Sequence, residues 1–311
     1  MKSIIITGAT SGIGYECAIQ LAKTASQHQL IIPARNEKLG NEVVQTIKHK
    51  TNHNNIICLP LDLASLASIR EFSHQFNQGR YGRIISLVNN AGLQIVGETR
   101  YTKDGFEETF GVNHLGPFYL TLLLMPYLTE DASITFTASG THDPGKKTGM
   151  PAPHFRTPQL LAYPEDIADQ NVSVGQRRYT TSKLCNILTV YELQKRLAGT
   201  NIRVNAFDPG LVPGTGLARS YPPVMQFIAG AIFNVLRLFH PNVNTARNSG
   251  MRLANLAWSE QYKNYRGRYF EGEKQIQSSA DSYNTAFQKQ LWQSSVEFSG
   301  IRQQETTISL A

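Results

Sequence analysis

Thr7-Gly8-Ala9-Thr10-Ser11-Gly12-Ile13-Gly14 stands between a run of isoleucines, Ile4-Ile5-Ile6, and a helix-length segment that begins at Ile13. This strand–turn–helix order decides how the rest of the chain is read. Gly8 permits a tight turn, Gly12 lets the backbone approach a pyrophosphate, and Gly14 allows the helix to pack closely on its strand. The helix N-terminus then offers free N–H groups and a positive dipole end to phosphates. The spacing is G-x3-G-x-G rather than the general G-x-G-x-x-G. A plain structural turn is the competing reading, and the position directly after the first strand favours the phosphate cradle.

Outward from this turn, β-rich runs alternate with helical stretches. Strands are predicted at Ile4–Thr7, Leu30–Ile32, Ile56–Leu59, Ile84–Val88, Ser133–Thr137 and Ile202–Phe207. Helices are predicted at Ile13–Lys23, Glu37–Lys48, Leu66–Phe76, Phe106–Leu124 and Tyr179–Leu197. Strands apolar on both faces, separated by helices, imply an α/β fold: a doubly wound parallel sheet, Rossmann-like, flanked by helices. One domain over residues 1–311 is the expectation. Two stretches break the rhythm. Residues 140–176 are rich in Pro, Gly and His and read as a long inserted loop, functional or poorly ordered. Val224–Phe239 is apolar with a narrow polar stripe at Gln226, Gly230, Asn234 and Arg237. It reads as a core helix, a lid-like helix over about 220–240 covering an apolar cleft, or a membrane-surface contact.

Composition sets outer bounds. Over 311 residues, 41% are apolar and 17% charged, which excludes disorder, collagen and coiled coil. Thirty Lys and Arg against 23 Asp and Glu leave a formal net charge of +7. That balance suits nucleic acid, an anionic surface, a phosphate-bearing cofactor or plain solubility. The basic residues are dispersed and form no stripe interleaved with aromatics, so no nucleic-acid partner is expected. Cys17, Cys58 and Cys185 are too few and too scattered for a disulfide framework or a zinc site, so no metal is expected. Met1-Lys2-Ser3 leads straight into the first strand, and no run reaches the ~18 apolar residues of a span. The expected location is cytoplasmic, with peripheral contact at a membrane left open. The oligomeric state is not readable.

Two further sites carry chemistry. Pro33-Ala34-Arg35-Asn36 closes the second strand, about 20 residues past the glycines, where an NAD site places an acid for the ribose hydroxyls. Arg35 stands there instead, and a guanidinium pairs with a 2′-phosphate. The reading is NADP(H), against Arg35 as an ordinary surface cation. Tyr179-Thr180-Thr181-Ser182-Lys183 puts a phenol and an ammonium on one helical face. A phenol with an unperturbed pKa of ~10 exchanges protons poorly at neutral pH. A nearby cation favours the phenolate and brings it toward the working range.

Taken in order, the Gly8–Gly14 turn, Asn89-Asn90-Ala91-Gly92, Asn113, Ser139, the Tyr179/Lys183 pair and Asp208-Pro209-Gly210 resemble the short-chain dehydrogenase/reductase family over nearly the whole chain. The resemblance implies that Tyr179 is the general acid or base and that Lys183 lowers its pKa and holds the nicotinamide ribose. It implies that Ser139 hydrogen-bonds the substrate carbonyl and that Asn113 holds a water linking Lys183 to solvent. The implied cofactor-binding set is Gly8, Ser11, Gly12, Ile13 and Gly14 at the phosphates and Arg35 at the 2′-phosphate. Asp62 and Leu63 follow at the adenine, Asn90, Ala91 and Gly92 at the adenine ribose, and Pro209, Gly210 and Val212 at the nicotinamide.

Within that family the chain is most similar to the branch of retinol dehydrogenases and light-dependent protochlorophyllide reductases. Gly111-Val112-Asn113-His114-Leu115-Gly116-Pro117-Phe118, Ser182-Lys183-Leu184-Cys185-Asn186, Gly214-Thr215-Gly216-Leu217, Asp281-Ser282-Tyr283 and Leu291-Trp292 carry this. The expected function is hydride transfer between NADP(H) and a small apolar carbonyl or alcohol. Phe227, Ile228, Phe233 and Leu236 are the expected apolar wall. Two alternatives stand beside it: protochlorophyllide-type C=C reduction, and a non-catalytic NADP(H) sensor. Photoactive relatives carry Cys directly after the Pro-Gly; this chain has Leu211, which donates no proton.

Overall fold

The computed structural model describes residues 1–165, 171–212 and 244–311. The predicted lid-like segment at 220–240, the Gly214–Leu217 motif and part of the 140–176 insertion therefore lie outside the described residues.

Every strand of the predicted set forms, and two more join them. β1 (Lys2–Ile6), β2 (Gln29–Ala34), β3 (Ile56–Pro60), β4 (Arg83–Asn89), β5 (Leu128–Thr137), β6 (Arg203–Asp208), β7 (Arg268–Glu271) and β8 (Lys274–Ile276) make one sheet. Its order is β3-β2-β1-β4-β5-β6-β7-β8. Neighbours pair in parallel from β3 to β7, and β8 alone runs antiparallel. The order reverses between β1 and β4, so the crevice for a ligand opens at their carboxyl ends. The last two strands escape sequence reading because they are short and flanked by charge, as in Arg268, Glu271, Glu273 and Lys274.

The period-2 pleat sends alternate residues of each strand into two separate cores. Ile4 and Ile6 pack on one face, together with Leu30, Ile32 and Val88. That face is covered by α1 (Gly12–Thr24), α2 (Glu37–Thr51) and α8 (Ala246–Trp258). Ile5 points the opposite way, with Ile31, Leu87, Ile134 and Phe136, into the larger core. There it meets α3 (Leu66–Asn77), α5 (Gly116–Leu124), α7 (Val172–Arg196) and α9 (Thr285–Ser299). Between β4 and α5 run a short turn of helix, α4 (Glu108–Phe110), and a π-helical turn, Gly111–Leu115. The predicted helix Phe106–Leu124 is thus one helical path interrupted at Asn113, and such π turns are common at functional positions.

The inserted stretch differs from its expectation. Residues 140–176 read from sequence as loop, yet they contain a 3₁₀ turn, Gly140–His142, and a short helix, α6 (Pro158–Ala162). α7 also starts at Val172, with Asn171 capping it by accepting from the Ser173 N–H. Tyr179 therefore lies two turns inside the helix rather than at its opening. From Tyr179 to Leu193 every residue of α7 is buried, polar ones included. The missed first turns, Val172–Arg178, are polar or glycine at most positions and mostly exposed or half-buried, so no apolar stripe carries the pattern back to the true start.

The C-terminal helix α9 anchors this core through Trp292. Its ring meets Phe118 edge-on at 5.1 Å, carries the Arg196 guanidinium 4.3 Å above it, and donates Nε1–H to the Leu310 carbonyl at 3.3 Å. Trp292→Ala is expected to cost about 3–5 kcal/mol of stability, read as a lower denaturant midpoint in chemical unfolding.

Candidate active site

The Gly-rich turn is fastened to the end of β4 by one threonine and one asparagine. The Thr7 Oγ1 accepts the N–H groups of Asn90 and Ala91 at 3.0 and 3.1 Å, and Asn90 Nδ2 donates to the Thr7 carbonyl at 3.1 Å. This leaves no room for larger residues. A Cβ on Gly14 would stand 2.2 Å from the Gly8 carbonyl oxygen, and one on Gly8, at φ +68°, would stand 2.7 Å from Ala91 Cα.

At the carboxyl ends of the strands lies a cleft of about 520 Å³. Of the predicted residues, Gly8, Ser11, Gly12, Ile13, Gly14, Arg35, Asp62, Leu63, Asn90, Ala91, Gly92, Tyr179, Lys183 and Pro209 line it. Ser139, Asn113, Gly210 and Val212 do not. Ser139 follows directly on Thr137 and Ala138, which do line it. Gly210 sits behind Pro209 and donates its N–H to Asp208 Oδ1 at 2.9 Å. Val212 is buried.

Most candidate side chains are held from behind. Lys183 is buried, and its Nζ donates to the Thr137 carbonyl oxygen at 3.0 Å. Burial pulls its ammonium down to about 8, against a smaller upward pull from Asp208. The Lys183 Nζ also stands 5.5 Å from the centre of the Tyr179 ring. A Cβ placed on Gly92 would lie 3.3 Å from both Lys183 Nζ and Asn113 Oδ1, so these three positions converge. The Asn113 side chain is fully engaged: Oδ1 accepts from the Leu93 N–H, and Nδ2 donates to the Leu93 carbonyl and to Ser182 Oγ. Ser139 Oγ accepts from the backbone N–H and the hydroxyl of Thr141 at 3.3 and 3.1 Å. Asp62 accepts from the Ala64 N–H and pairs with Lys103 at 3.1 Å. Arg35 is exposed at the end of β2, and no carboxylate pairs with it among the described residues.

Several residues of the site lie beyond the sequence reading. Asn186, one helical turn past Lys183, donates Nδ2 to the same Thr137 carbonyl at 3.2 Å, and that spacing is a usable signal. Thr137 itself, at the end of β5, carries none. Asp208, quoted as part of a motif, is buried; burial pushes its carboxyl up, while the Gly210 N–H and the Tyr269 hydroxyl pull it back. Cys185 lines a different cavity, of about 240 Å³, together with Arg178, Thr181 and Ser182. Burial keeps its thiol protonated. No group of His, Cys, Asp and Glu among the described residues has the arrangement of a metal site. Nor is any described helix long and apolar enough to cross a membrane.

The fold and the cleft are those of a dinucleotide-dependent oxidoreductase, and comparison with known proteins agrees. Residues 2–149 match the family model described as short chain dehydrogenase, and residues 218–308 match the AcuH dehydrogenase domain. The chain is similar to the polyprenol dehydrogenase of Homo sapiens, at 32% identity over 96% of this chain and 84% of that protein. It is also similar to retinol dehydrogenase 12 of Homo sapiens, at 31% identity over 97% of this chain and 87% of that protein. Among solved structures, an uncharacterised protein from Mycobacterium Paratuberculosis matches with a TM-score of 0.71 at 25% identity, covering 97% of this chain and 94% of that one. A blue fluorescent protein from a metagenomic library, solved in complex with NADPH, shares the fold at a TM-score of 0.63 and 21% identity, covering 88% of this chain and 97% of that one. The chain belongs to the short-chain dehydrogenase family. It is an oxidoreductase related to the retinol dehydrogenase branch.

The buried ammonium makes a prediction with a definite sign. The folded pKa of Lys183 lies below the unfolded value, so wild-type stability rises with pH between about 8 and 10.5. Below that window the buried charge costs up to about 3 kcal/mol. Lys183→Met is expected to raise the melting temperature of the cofactor-free protein at pH 7, with the gain fading above pH 10. Thr137 keeps its bond from Asn186, so no acceptor is orphaned. A lower melting temperature at pH 7 would contradict this account.

Proposed function

We propose that the protein is an NADP(H)-dependent dehydrogenase or reductase acting on an apolar carbonyl or alcohol, with Tyr179 exchanging a proton with the substrate oxygen. The observation that carries this reading is the shared cleft: the Gly-rich turn, Arg35, Tyr179 and Lys183 all line it. A nicotinamide cofactor fits the residues present: Gly8, Ser11, Gly12 and Ile13 line the cleft where α1 begins, so small residues and the helix N-terminus face it together. Such a cofactor, when bound, supplies or accepts the hydride.

The chain's own groups do the rest. The turn and the N-terminus of α1 bind phosphate through backbone N–H groups. Arg35 offers a charge-assisted fork to a 2′-phosphate at the end of β2. Lys183, held by Thr137, favours the phenolate of Tyr179 and presents its remaining N–H bonds to a ribose. Ser139 takes its two hydrogen bonds from Thr141 as an acceptor, which leaves its own proton for a substrate carbonyl oxygen. Asn113, locked between Leu93 and Ser182, keeps the π turn and α7 in register beneath Lys183. Asp62, Leu63, Asn90, Ala91 and Gly92 shape the adenosine end and Pro209 the nicotinamide end, while Gly210 and Val212 follow it in the chain without lining the cleft.

The substrate class rests on Leu93, Ile95 and Val112, which line the cleft, and on the retinol and polyprenol named for the relatives. Leu211, about half exposed, stands where light-driven relatives carry a cysteine. Leucine donates no proton, which favours thermal over photochemical reduction.

Two measurements test the reading. Tyr179→Phe is expected to lower kcat at least about 1,000-fold on a panel of aliphatic and isoprenoid aldehydes while NADPH still binds; retained turnover removes Tyr179 from its role. Arg35→Ala is expected to weaken NADPH binding about 10- to 100-fold and leave NADH nearly unchanged, by titration of cofactor fluorescence. Tighter binding of NADH than NADPH by the wild type would overturn the cofactor assignment.

A further inference from the structure

His142 is buried in the turn behind Ser139 and belongs to neither the cofactor cleft nor the second cavity. The 3₁₀ turn Gly140–His142 folds its ring back, so that the backbone N–H and Nδ1 of His142 both reach the Ser139 carbonyl oxygen, at 3.1 and 2.7 Å. From the other side, the backbone N–H of Ser279 meets Nε2 at 3.0 Å. An amide only donates, so Nε2 is the bare nitrogen and Nδ1 carries the proton given to Ser139. Burial holds the ring below its ordinary pKa and keeps it neutral, as this tautomer requires.

The far side of this link is itself fastened to α7. Ser278 Oγ lies 2.6 Å from the Tyr191 hydroxyl and 2.6 Å from Ser282 Oγ. Gln288 of α9 donates to the Ser282 carbonyl at 2.7 Å. The His142 ring packs 4.9 Å from that of Tyr269, whose hydroxyl donates to Asp208 Oδ2 at 2.8 Å. A chain of contacts thus runs from Ser139 at the end of β5, through His142 and residues 278–279, to Tyr191 on the helix that carries Tyr179.

We infer that His142 is a positioning residue: by tying the Ser139 carbonyl to the Ser278–Ser282 segment, it sets the place of the Ser139 hydroxyl relative to Tyr179. The inference rests on the reading of Ser139 and Tyr179 given above. It assigns the C-terminal segment, far from the cleft in sequence, a part in aligning the reacting groups. A displacement of about 1 Å at such a group costs up to ~100-fold in rate.

A double-mutant cycle tests it, with NADPH and whichever aldehyde of the panel is turned over fastest. His142→Leu removes both ring hydrogen bonds, and His142→Gln retains a donor and an acceptor. Ser279→Pro deletes the N–H given to Nε2 together with a hydroxyl that makes no hydrogen bond, at a residue whose φ of −60° already suits proline. His142→Leu and Ser279→Pro are expected to lower kcat about 10- to 100-fold with NADPH affinity unchanged, and His142→Gln to recover most of the loss. In a Ser139→Ala background the same changes are expected to have no further effect on kcat. Equal losses in both backgrounds, or full activity of Ser279→Pro and His142→Leu, would overturn the inference. Full activity of Ser139→Ala alone would instead remove the role assigned to Ser139. If His142→Leu does not fold, Ser279→Pro and His142→Gln still complete the cycle.

Discussion

Thr137, through its backbone carbonyl and its hydroxyl, is the point on which both halves of the site depend. The carbonyl accepts from Lys183 and Asn186, which seats α7 on the end of β5. The hydroxyl of the same residue donates to Asn90 Oδ1 at 3.4 Å, and Asn90 is bound to the Gly-rich turn. One residue at a strand end therefore ties the Gly-rich turn to the Tyr179/Lys183 helix. Its position follows from the sheet: β5 pairs with β4 on one side and β6 on the other, so its end cannot shift alone.

This arrangement sets stability against function. An ammonium taken out of water is costly unless it is well paired, and Lys183 has one neutral acceptor nearby with Asp208 acting at longer range. A core helix chosen for stability alone would carry an apolar residue there. The cost is offset by the large apolar core on that face, where Phe118, Leu184, Leu188 and Trp292 are all buried. The physical consequence is a lysine whose ammonium is held by burial down to about 8, close to the Tyr179 ring.

The elements added after β6 do more than lengthen the chain. β7 extends the sheet in parallel and brings Tyr269 to Asp208, so the turn at Pro209 is braced from outside. The segment around Ser278–Ser282 reaches the back of Ser139 through His142, and α9 closes the core over α7. The relatives named as retinol and polyprenol dehydrogenases align over nearly this whole length, the C-terminal part included.

Local sequence determined the alternating strands and helices, the Gly8–Gly14 turn, the approach of Arg35 to the cleft and the shared helical face of Tyr179 and Lys183. Those features depend on residues close together in the chain, where period, turn chemistry and helical spacing are readable. The true start of α7 is not legible because Val172–Arg178 are mostly polar and only partly buried and leave no apolar stripe, and β7 and β8 are not because they are short and charged. The convergence of Thr137, Asn90 and Lys183, and the link from His142 to Ser279, were decided only in three dimensions. Each joins groups between 46 and 137 positions apart through single hydrogen bonds, and a sequence carries no local trace of a bond between residues that distant.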